Sequence, residues 1–229
     1  MSEKNENKDT QQPEVWGVSI AKDELAALPA ASYKGEVTVI DTPEKVAEAV
    51  AVLGKESVIG FDTETRPSFR KGQSYQVALL QLSTHERCFL IRLNKIGLPA
   101  PIKAILEDYN IKKIGVSIHD DFHNLNKVYN LEPQGFIDLQ SYVKPFGITD
   151  NSLSRIYAIL FEKRISKGQR LTNWEAPELT VHQQEYAALD ALACISIYDY
   201  LNQEGFEAAN SKYYRIVNNY SLNNPPHNG

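Results

Sequence analysis

The spacing of hydrophobic residues alternates between two periods along the chain, and this alternation predicts both strands and helices. Short apolar or β-branched runs predict six strands, at 37–40, 58–61, 76–83, 87–93, 113–118 and 136–139. Apolar positions three and four residues apart predict six helices, at 43–53, 101–109, 120–129, 152–161, 181–203 and 205–218. Three of the strands follow one another directly, which indicates an antiparallel meander. We therefore expect an α/β fold with a mixed β-sheet and helices on both faces.

The two ends of the chain differ in composition from the region between them. Residues 1–15 are almost wholly polar, and a segment that buries so little apolar surface cannot offset the cost of ordering, so we expect a disordered tail. Residues 218–229 are rich in Asn and include Pro225 and Pro226, which predicts a flexible C-terminal tail. Residues 16–217 contain no linker-like stretch and no internal repeat, so we expect a single domain there.

The composition of the 229 residues excludes several classes of protein. Cys88 and Cys194 lie in apolar runs without a nearby Cys or His pattern, which excludes a disulfide scaffold and a zinc site. No apolar run reaches the roughly 18 residues of a membrane span, and the N-terminus lacks a signal peptide, so we expect a soluble, cytoplasmic protein without a membrane partner. The net charge of −5 by itself argues against a general nucleic-acid coat protein.

Two carboxylates follow the second predicted strand at a spacing that favours metal binding. Asp62 and Glu64 are two residues apart, so in a strand their side chains lie on the same face. Carboxylates held that close repel each other, and a cation between them relieves the repulsion. The spacing therefore predicts a divalent metal site, although a solvated strand end with two acids is the alternative.

Two further acidic positions occur later in the chain. Asp120 and Asp121 lie at the predicted start of a helix, where a helix cap is the alternative interpretation. Tyr186 and Asp190 are four residues apart and hence on one face of a helix whose other residues are mostly small or apolar. A buried Asp without a partner is costly, so Asp190 requires a metal ion or hydrogen-bond donors.

These acidic positions belong to three motifs that occur in a familiar order: VIGFDTET at 58–65, KKIGVSIHDDFHNL at 112–125 and YAALDA at 186–191. Two more segments support them, VALLQLST at 77–84 and LTNWEAPELTVHQQEYAALDA at 171–191. The chain thereby resembles, over about residues 37–203, the DEDD superfamily of 3'-5' exonucleases. The resemblance is to the tyrosine subclass, typified by ribonuclease D and the exonuclease domain of the Werner syndrome helicase. It implies a ribonuclease H-like mixed β-sheet with helices on both faces.

The resemblance also implies an activity and a set of catalytic residues. The implied activity is metal-dependent hydrolysis of the phosphodiester bond at the 3' end of DNA or RNA, which releases nucleoside monophosphates by a two-metal mechanism. Matched by position, the catalytic residues are Asp62, Glu64, Asp121, Tyr186 and Asp190. The four acids would hold two Mg²⁺ or Mn²⁺ ions, and the motif selects Asp121 rather than Asp120. Tyr186 would orient the attacking water, since a phenol with a pKa near 10 stays protonated at neutral pH.

Substrate contacts are expected around this acidic group. The candidates are Thr63, Arg66, Ser117, Ile118, His119 and Trp174. His119 has the alternative of an ordinary surface residue, and Trp174 that of core packing. Two basic groups also predict tracks for the phosphate backbone, with solvated loops as the alternative. They are Arg66, Arg70 and Lys71, and Arg155, Lys163, Arg164, Lys167 and Arg170.

The expected partner is a single-stranded or 3'-recessed DNA or RNA. Because acids that bind metal have their charge offset, the net charge of −5 no longer argues against such a substrate. The chain ends soon after the third motif, so we also expect either weak processivity of the chain alone or a protein partner that supplies processivity. Two other functions stay open: a non-catalytic nucleic-acid-binding scaffold that keeps the fold, and a structure-specific endonuclease.

Overall fold

A computed structural model describes residues 15–203 and 205–217, and a mixed sheet of six strands forms its centre. The first and the last strands of the described residues form a separate two-stranded sheet. The eight strands are β1 Val15–Val18, β2 Glu36–Ile40, β3 Val58–Thr65, β4 Val77–Ser83, β5 Arg87–Ile91, β6 Lys112–Gly115, β7 Phe136–Asp138 and β8 Tyr214–Val217.

The central sheet has the order β2-β5-β4-β3-β6-β7. The pairs β3–β4 and β4–β5 are antiparallel, which confirms the predicted meander, whereas β2–β5, β3–β6 and β6–β7 are parallel. Every residue of β4 is buried, as expected for a central strand with helices on both faces. The Thr84 hydroxyl closes the β4–β5 turn by accepting hydrogen bonds from the backbone N–H groups of Glu86 and Arg87.

Helices cover both faces of this sheet, which confirms the predicted α/β architecture. α2 and α4 pack on the face that carries Phe61, and α8 packs on the opposite face. Within residues 15–203 and 205–217, no helix combines the length and the apolar character that a bilayer crossing requires. The helices are α1 Lys22–Ala27, α2 Val46–Leu53, α3 Leu93–Ile96, α4 Ala100–Glu107, α5 Ile118–Leu125, α6 Leu139–Tyr142, α7 Leu153–Phe161 and α8 Val181–Asn202.

The long helix α8 lies directly against β3. Its first turn is closed by a capping box, in which the Thr180 side chain accepts from the Gln183 backbone N–H at 3.2 Å. A Cβ atom at Gly60 would lie 1.9 Å from the carbonyl oxygen of Ala191, so only glycine permits this approach. The contact brings the middle of α8 to the strand that carries Asp62 and Glu64.

The helix predicted at 205–218 is wrong. That segment contains a short 3₁₀ helix, Ala208–Asn210, and then β8, which pairs antiparallel with β1. Trp16 and Tyr214 stack across this pair with ring centroids 5.3 Å apart, which helps to stabilise the pair. Val15 belongs to β1, and the rest of the predicted tails, 1–14 and 218–229, lies outside the described residues.

The boundary between β6 and α5 also differs from the prediction. β6 ends at Gly115, and Ser117 adopts a left-handed conformation with φ of 58°. The Asp138 carboxylate accepts hydrogen bonds from the backbone N–H groups of Ser117 and Ile118, each at 3.3 Å. These bonds satisfy free donors at the helix start, so α5 begins at Ile118.

Candidate active site

The structure brings together three carboxylates from β3 and α8. Oxygen atoms of Asp62, Glu64 and Asp190 all lie within 4.8 Å of one another. Asp62 and Glu64 lie on the same face of β3 as Gly60, because alternate side chains of a strand share a face. Asp190 comes one residue before Ala191, the α8 residue that contacts Gly60. The close approach at Gly60 therefore determines that the three carboxylates meet.

The charges of this group repel one another strongly. Burial, and then the neighbouring charges of Asp62 and Asp190, raises the pKa of Glu64 to about 10. Burial raises the pKa of Asp190 to about 7, and it also raises the pKa of Asp62, with Asp190 as the second cause. A divalent cation would relieve this repulsion, and an all-carboxylate donor set suits Mg²⁺ or Mn²⁺. The residues present therefore fit a hard divalent metal.

Asp121 lies beside the group, in the first turn of α5. It is outside the set of three close carboxylates, but the charge of Asp62 reaches it: burial first, and then Asp62, raises the pKa of Asp121 to about 8. The Thr63 hydroxyl donates a hydrogen bond to Asp121. Thr63 faces away from Asp62 and Glu64, so its side chain holds an acid rather than pointing into the carboxylate group. Asp120 is exposed, in agreement with the choice of Asp121.

Tyr186 lies one turn before Asp190 on α8. Burial, and then the charge of Asp190, raises the pKa of its phenol well above the usual range, so the hydroxyl stays protonated at neutral pH. The hydroxyl also interacts with the Asp190 carboxylate, which opposes the increase in the pKa of Asp190. The phenol is thus held next to the three acids as a neutral hydrogen-bonding group.

Trp174 belongs to the core beneath Tyr186. Its side chain is 0% exposed, and its ring centroid lies 6.1 Å from that of Tyr186. Within the described part of the chain, its indole N–H has no hydrogen-bond partner. The expectation that Trp174 contacts the substrate is therefore corrected: complete burial favours the packing alternative, in which Trp174 supports Tyr186.

The other expected substrate contacts divide between core and surface. The Ile118 side chain is buried in the core next to Phe61, which corrects the expectation that it lines a substrate cleft. Ser117 is half-buried and precedes α5. His119 is exposed and lines a cavity of about 380 Å³ along α5, together with His123. Arg66 lies just beyond β3 and forms an ion pair with Glu175 at 3.2 Å.

Some residues of the two predicted basic groups make contacts that stabilise the fold, and others lie close enough to the carboxylates to affect their pKa values. Arg155 pairs with Asp150 at 3.1 Å, and Arg164 donates to the Leu28 carbonyl oxygen at 3.1 Å, so both serve the fold. The charges of Lys167 and Arg170 instead favour the ionised forms of two of the acids. Burial dominates the pKa values of Asp190 and Glu64, and the charges of Lys167 and Arg170, respectively, oppose those increases. Positive charge therefore reaches the carboxylates from the loop that precedes α8.

Gln81 is a residue of this site that the sequence reasoning missed. It is the register partner of Asp62 on β4, and its side chain is 0% exposed. Among the residues the structure describes, neither its carboxamide nitrogen nor its oxygen has a hydrogen-bond partner. The signal was present in the sequence, because Gln81 is the amide in the otherwise apolar run VALLQL. Buried amides are normally paired, so a lone one next to Asp62 marks the polar edge of the site.

Comparison with known proteins identifies similar chains. A family model described as 3'-5' exonuclease matches residues 37–205. The bifunctional 3'-5' exonuclease/ATP-dependent helicase WRN of Mus musculus is 31% identical over 159 residues, which are 67% of this chain and 11% of that protein. Ribonuclease D of Cronobacter turicensis is 29% identical over 175 residues, which are 74% of this chain and 46% of that protein. The aligned region is therefore less than half of each of these two relatives.

Solved structures show the same fold. The crystal structure of Escherichia coli RNase D aligns with a TM-score of 0.64 at 27% identity, over 72% of this chain and 44% of that one. The EXO domain of Aedes aegypti Nibbler aligns with a TM-score of 0.67 at 23% identity, over 75% of this chain and 90% of that domain.

Proposed function

The chain belongs to the 3'-5' exonuclease family, as its motifs predicted, and on that premise we propose that it hydrolyses the terminal phosphodiester bond at the 3' end of a nucleic acid. The products are nucleoside monophosphates. The observation that carries the proposal is the meeting of Asp62, Glu64 and Asp190, with oxygens within 4.8 Å, beside a protonated Tyr186. A group of acids at this density is costly in a folded protein unless cations offset the charge.

Two divalent ions, Mg²⁺ or Mn²⁺, are the proposed cofactors, and Asp62, Glu64, Asp190 and Asp121 are their proposed ligands. Divalent cations bound there would supply charge neutralisation at the scissile phosphate and acidify a bound water. Thr63 positions Asp121 by donating a hydrogen bond to it. Gln81 is the register partner of Asp62 on the neighbouring strand, and in this proposal its unpaired amide donates to the Asp62 carboxylate once that group is ionised.

Tyr186 positions the attacking water in this proposal. Its hydroxyl interacts with Asp190, so its oxygen is left to accept a hydrogen bond from the water. Glu64 would be ionised once divalent cations offset the burial and repulsion that raise its pKa, and in that form it takes the proton that the water loses on attack. A phenol whose pKa is raised cannot act as a phenolate base near neutral pH, so its contribution is orientation.

The proposed substrates are single-stranded or 3'-recessed DNA or RNA. Lys167 and Arg170, whose charges reach the acids, would attract the phosphate backbone. The E. coli RNase D is described as an exoribonuclease, whereas the name of the mouse relative specifies neither DNA nor RNA. Both nucleic acids therefore belong in the test.

The test uses 5'-labelled single strands of DNA and RNA incubated with Mg²⁺ or Mn²⁺. We expect a ladder that shortens from the 3' end, and a 3' label that appears at once in mononucleotide. Asp62→Ala and Asp190→Asn should abolish the ladder, whereas the matched control Asp120→Asn, an exposed neighbour of Asp121, should retain it. Internal fragments would identify an endonuclease, and binding without metal-dependent shortening would identify a scaffold.

A further inference from the structure

A second cavity, of about 450 Å³, lies between two segments that are continuous in sequence with the elements of the carboxylate group. It is lined by Arg66, Pro67, Phe69, Arg70, Gln73, Tyr75, Leu171 and Asn173. One wall is the segment that follows β3, which begins two residues after Glu64. The other wall is the segment that precedes α8, where Asn173 is the neighbour of Trp174, the residue that packs on Tyr186. Both walls of the cavity are therefore continuous in sequence with the elements that position the catalytic candidates: one follows β3, and the other leads to Trp174 and α8.

The lining is mainly polar, but two of its apolar side chains are exposed to solvent. Phe69 is 80% exposed and Leu171 is 64% exposed, although large apolar side chains are normally covered. Tyr75 adds an aromatic ring to the lining, and the Arg66 guanidinium lies over this ring, 4.7 Å from its centroid. Exposed aromatic rings in a basic groove are the usual platform for unpaired nucleic-acid bases, since every base has a face that stacks.

The two arginines of the cavity differ in their side-chain contacts. Arg66 is held in place by Glu175 at 3.2 Å and by the ring of Tyr75. Arg70 forms no ion pair with any residue in 15–203 or 205–217. A guanidinium with free donors next to stacking surfaces suits a phosphate, which arginine can bind with two parallel hydrogen bonds.

We propose that this cavity binds the nucleotide immediately 5' of the terminal one, with its base against Phe69 and Leu171 and its phosphate on Arg70. The ligand class is an unpaired nucleotide of DNA or RNA with any base. Stacking contacts only the face of the base and Arg70 only the phosphate, so neither contact distinguishes the sugars or the bases. The proposal rests on the proposed function, since it places the strand relative to the scissile bond. A strand bound in this way is unpaired over at least the last two nucleotides of its 3' end.

The experiment compares two substrates. The p-nitrophenyl ester of thymidine 5'-monophosphate contains a phosphodiester but no 5' neighbour, whereas a labelled single strand occupies the cavity. For Phe69→Ala and Arg70→Gln, the ratio of kcat/KM for the strand to that for the ester should fall about 10-fold. Tyr109→Ala removes an exposed ring elsewhere and Lys55→Gln an exposed charge elsewhere, so both controls should keep the wild-type ratio.

A strand with an abasic second nucleotide sharpens the test. It should lose about the same factor with the wild-type protein as Phe69→Ala loses with the intact strand, and the two losses should not add. Additive losses, or an unchanged ratio for both variants, would overturn the inference while ester hydrolysis still supported the proposed function.

Binding separates the two proposals if turnover is absent. The affinity of the Asp190→Asn protein for a fluorescent single strand, measured by anisotropy with Ca²⁺, requires no catalysis. Phe69→Ala on that background should raise Kd about 10-fold. An unchanged Kd would overturn the cavity assignment, whatever the activity of the protein.

Discussion

Helices α8 and α5 each bring a carboxylate to the site, but they hold it by different means. α8 is buried on almost every side, and its Asp190 follows from a backbone contact with Gly60 in the centre of the sheet. α5 spans only Ile118–Leu125, and its Asp121 is held by the single hydroxyl of Thr63. One acid is therefore positioned by the core and the other by a side-chain hydrogen bond. Substitutions near Gly60 and α8 should therefore lower the free energy of unfolding. Substitutions near Thr63 and α5 should instead weaken the response to the metal ion.

The largest effect is expected from Gly60→Ala. The added methyl group would lie 1.9 Å from the Ala191 carbonyl oxygen, so α8 must move away from β3. We expect a loss of about 3 kcal/mol in the free energy of unfolding, as for severe overpacking, measured by urea denaturation in EDTA. Gly168→Ala is the control, because a Cβ there meets its nearest atom at an ordinary 3.5 Å. A stable Gly60→Ala protein would show that the helix is not held by this contact.

The next effect is a dependence of stability on pH without metal. Burial raises the folded-state pKa of Asp190 to about 7 and of Asp121 to about 8, whereas unfolded Asp titrates near 4. The folded protein binds more protons in this range, so the free energy of unfolding should fall as pH rises from about 4 toward 8.

Two variants separate the contributions of the helices to this pH dependence. Asp190→Asn should remove the part of the decrease that ends near pH 7, and Asp121→Asn the part that ends near pH 8. A shallower decrease should remain in both variants, because the pKa of Glu64 is raised to about 10. Saturating Mn²⁺ should flatten the profile of the wild-type protein, because a bound cation favours the ionised acids. Stability in EDTA that is constant or increases over this range would contradict the raised pKa values of Asp190 and Asp121.

Thr63→Val tests the α5 side alone. Loss of the hydroxyl leaves Asp121 without its hydrogen-bond donor, so the Mn²⁺ concentration for half-maximal activity should rise about 10-fold. The free energy of unfolding should change by no more than about 1 kcal/mol, as for one lost hydrogen bond. Thr63→Ser keeps the hydroxyl and should restore the metal response. Equal metal responses of the valine and serine variants would show that Asp121 is positioned without Thr63.

The smallest effect is expected from Gln81→Leu, on the α8 side of β4. Replacing an unpaired buried amide by an apolar group of similar size should raise the free energy of unfolding in EDTA by about 1 kcal/mol. Thermal denaturation of the metal-free protein measures this change. A less stable variant would show that the carboxamide has a hydrogen-bond partner in solution.

The sequence predicted those parts of the fold that depend on local pattern. The meander β3–β4–β5 and the helix α8 follow from short-range periodicity and were found at nearly the right residues. The pair β1–β8 was missed because its register joins Val15 to Val217, and no local period reports a pairing so distant in the chain.

The same limit applies to the candidate site. The shared face of Asp62 and Glu64 follows from the period of a strand, but the approach of Asp190 depends on the contact between Gly60 and Ala191, so only the resemblance supplied it. Residue type did not reveal that Trp174 and Ile118 are buried, because aromatic and aliphatic side chains occur both in cores and in clefts.

The alternation of side chains along Asp62, Thr63 and Glu64 has a consequence for how such a site can vary between relatives. Asp62 and Glu64 face α8, and Thr63 faces α5, so one strand serves two helices on opposite sides of the sheet. An insertion or deletion of one residue here would exchange the two faces and disconnect both helices from their partners at once. This three-residue segment can therefore change by substitution, whereas changes in length are confined to the loops on either side of β3.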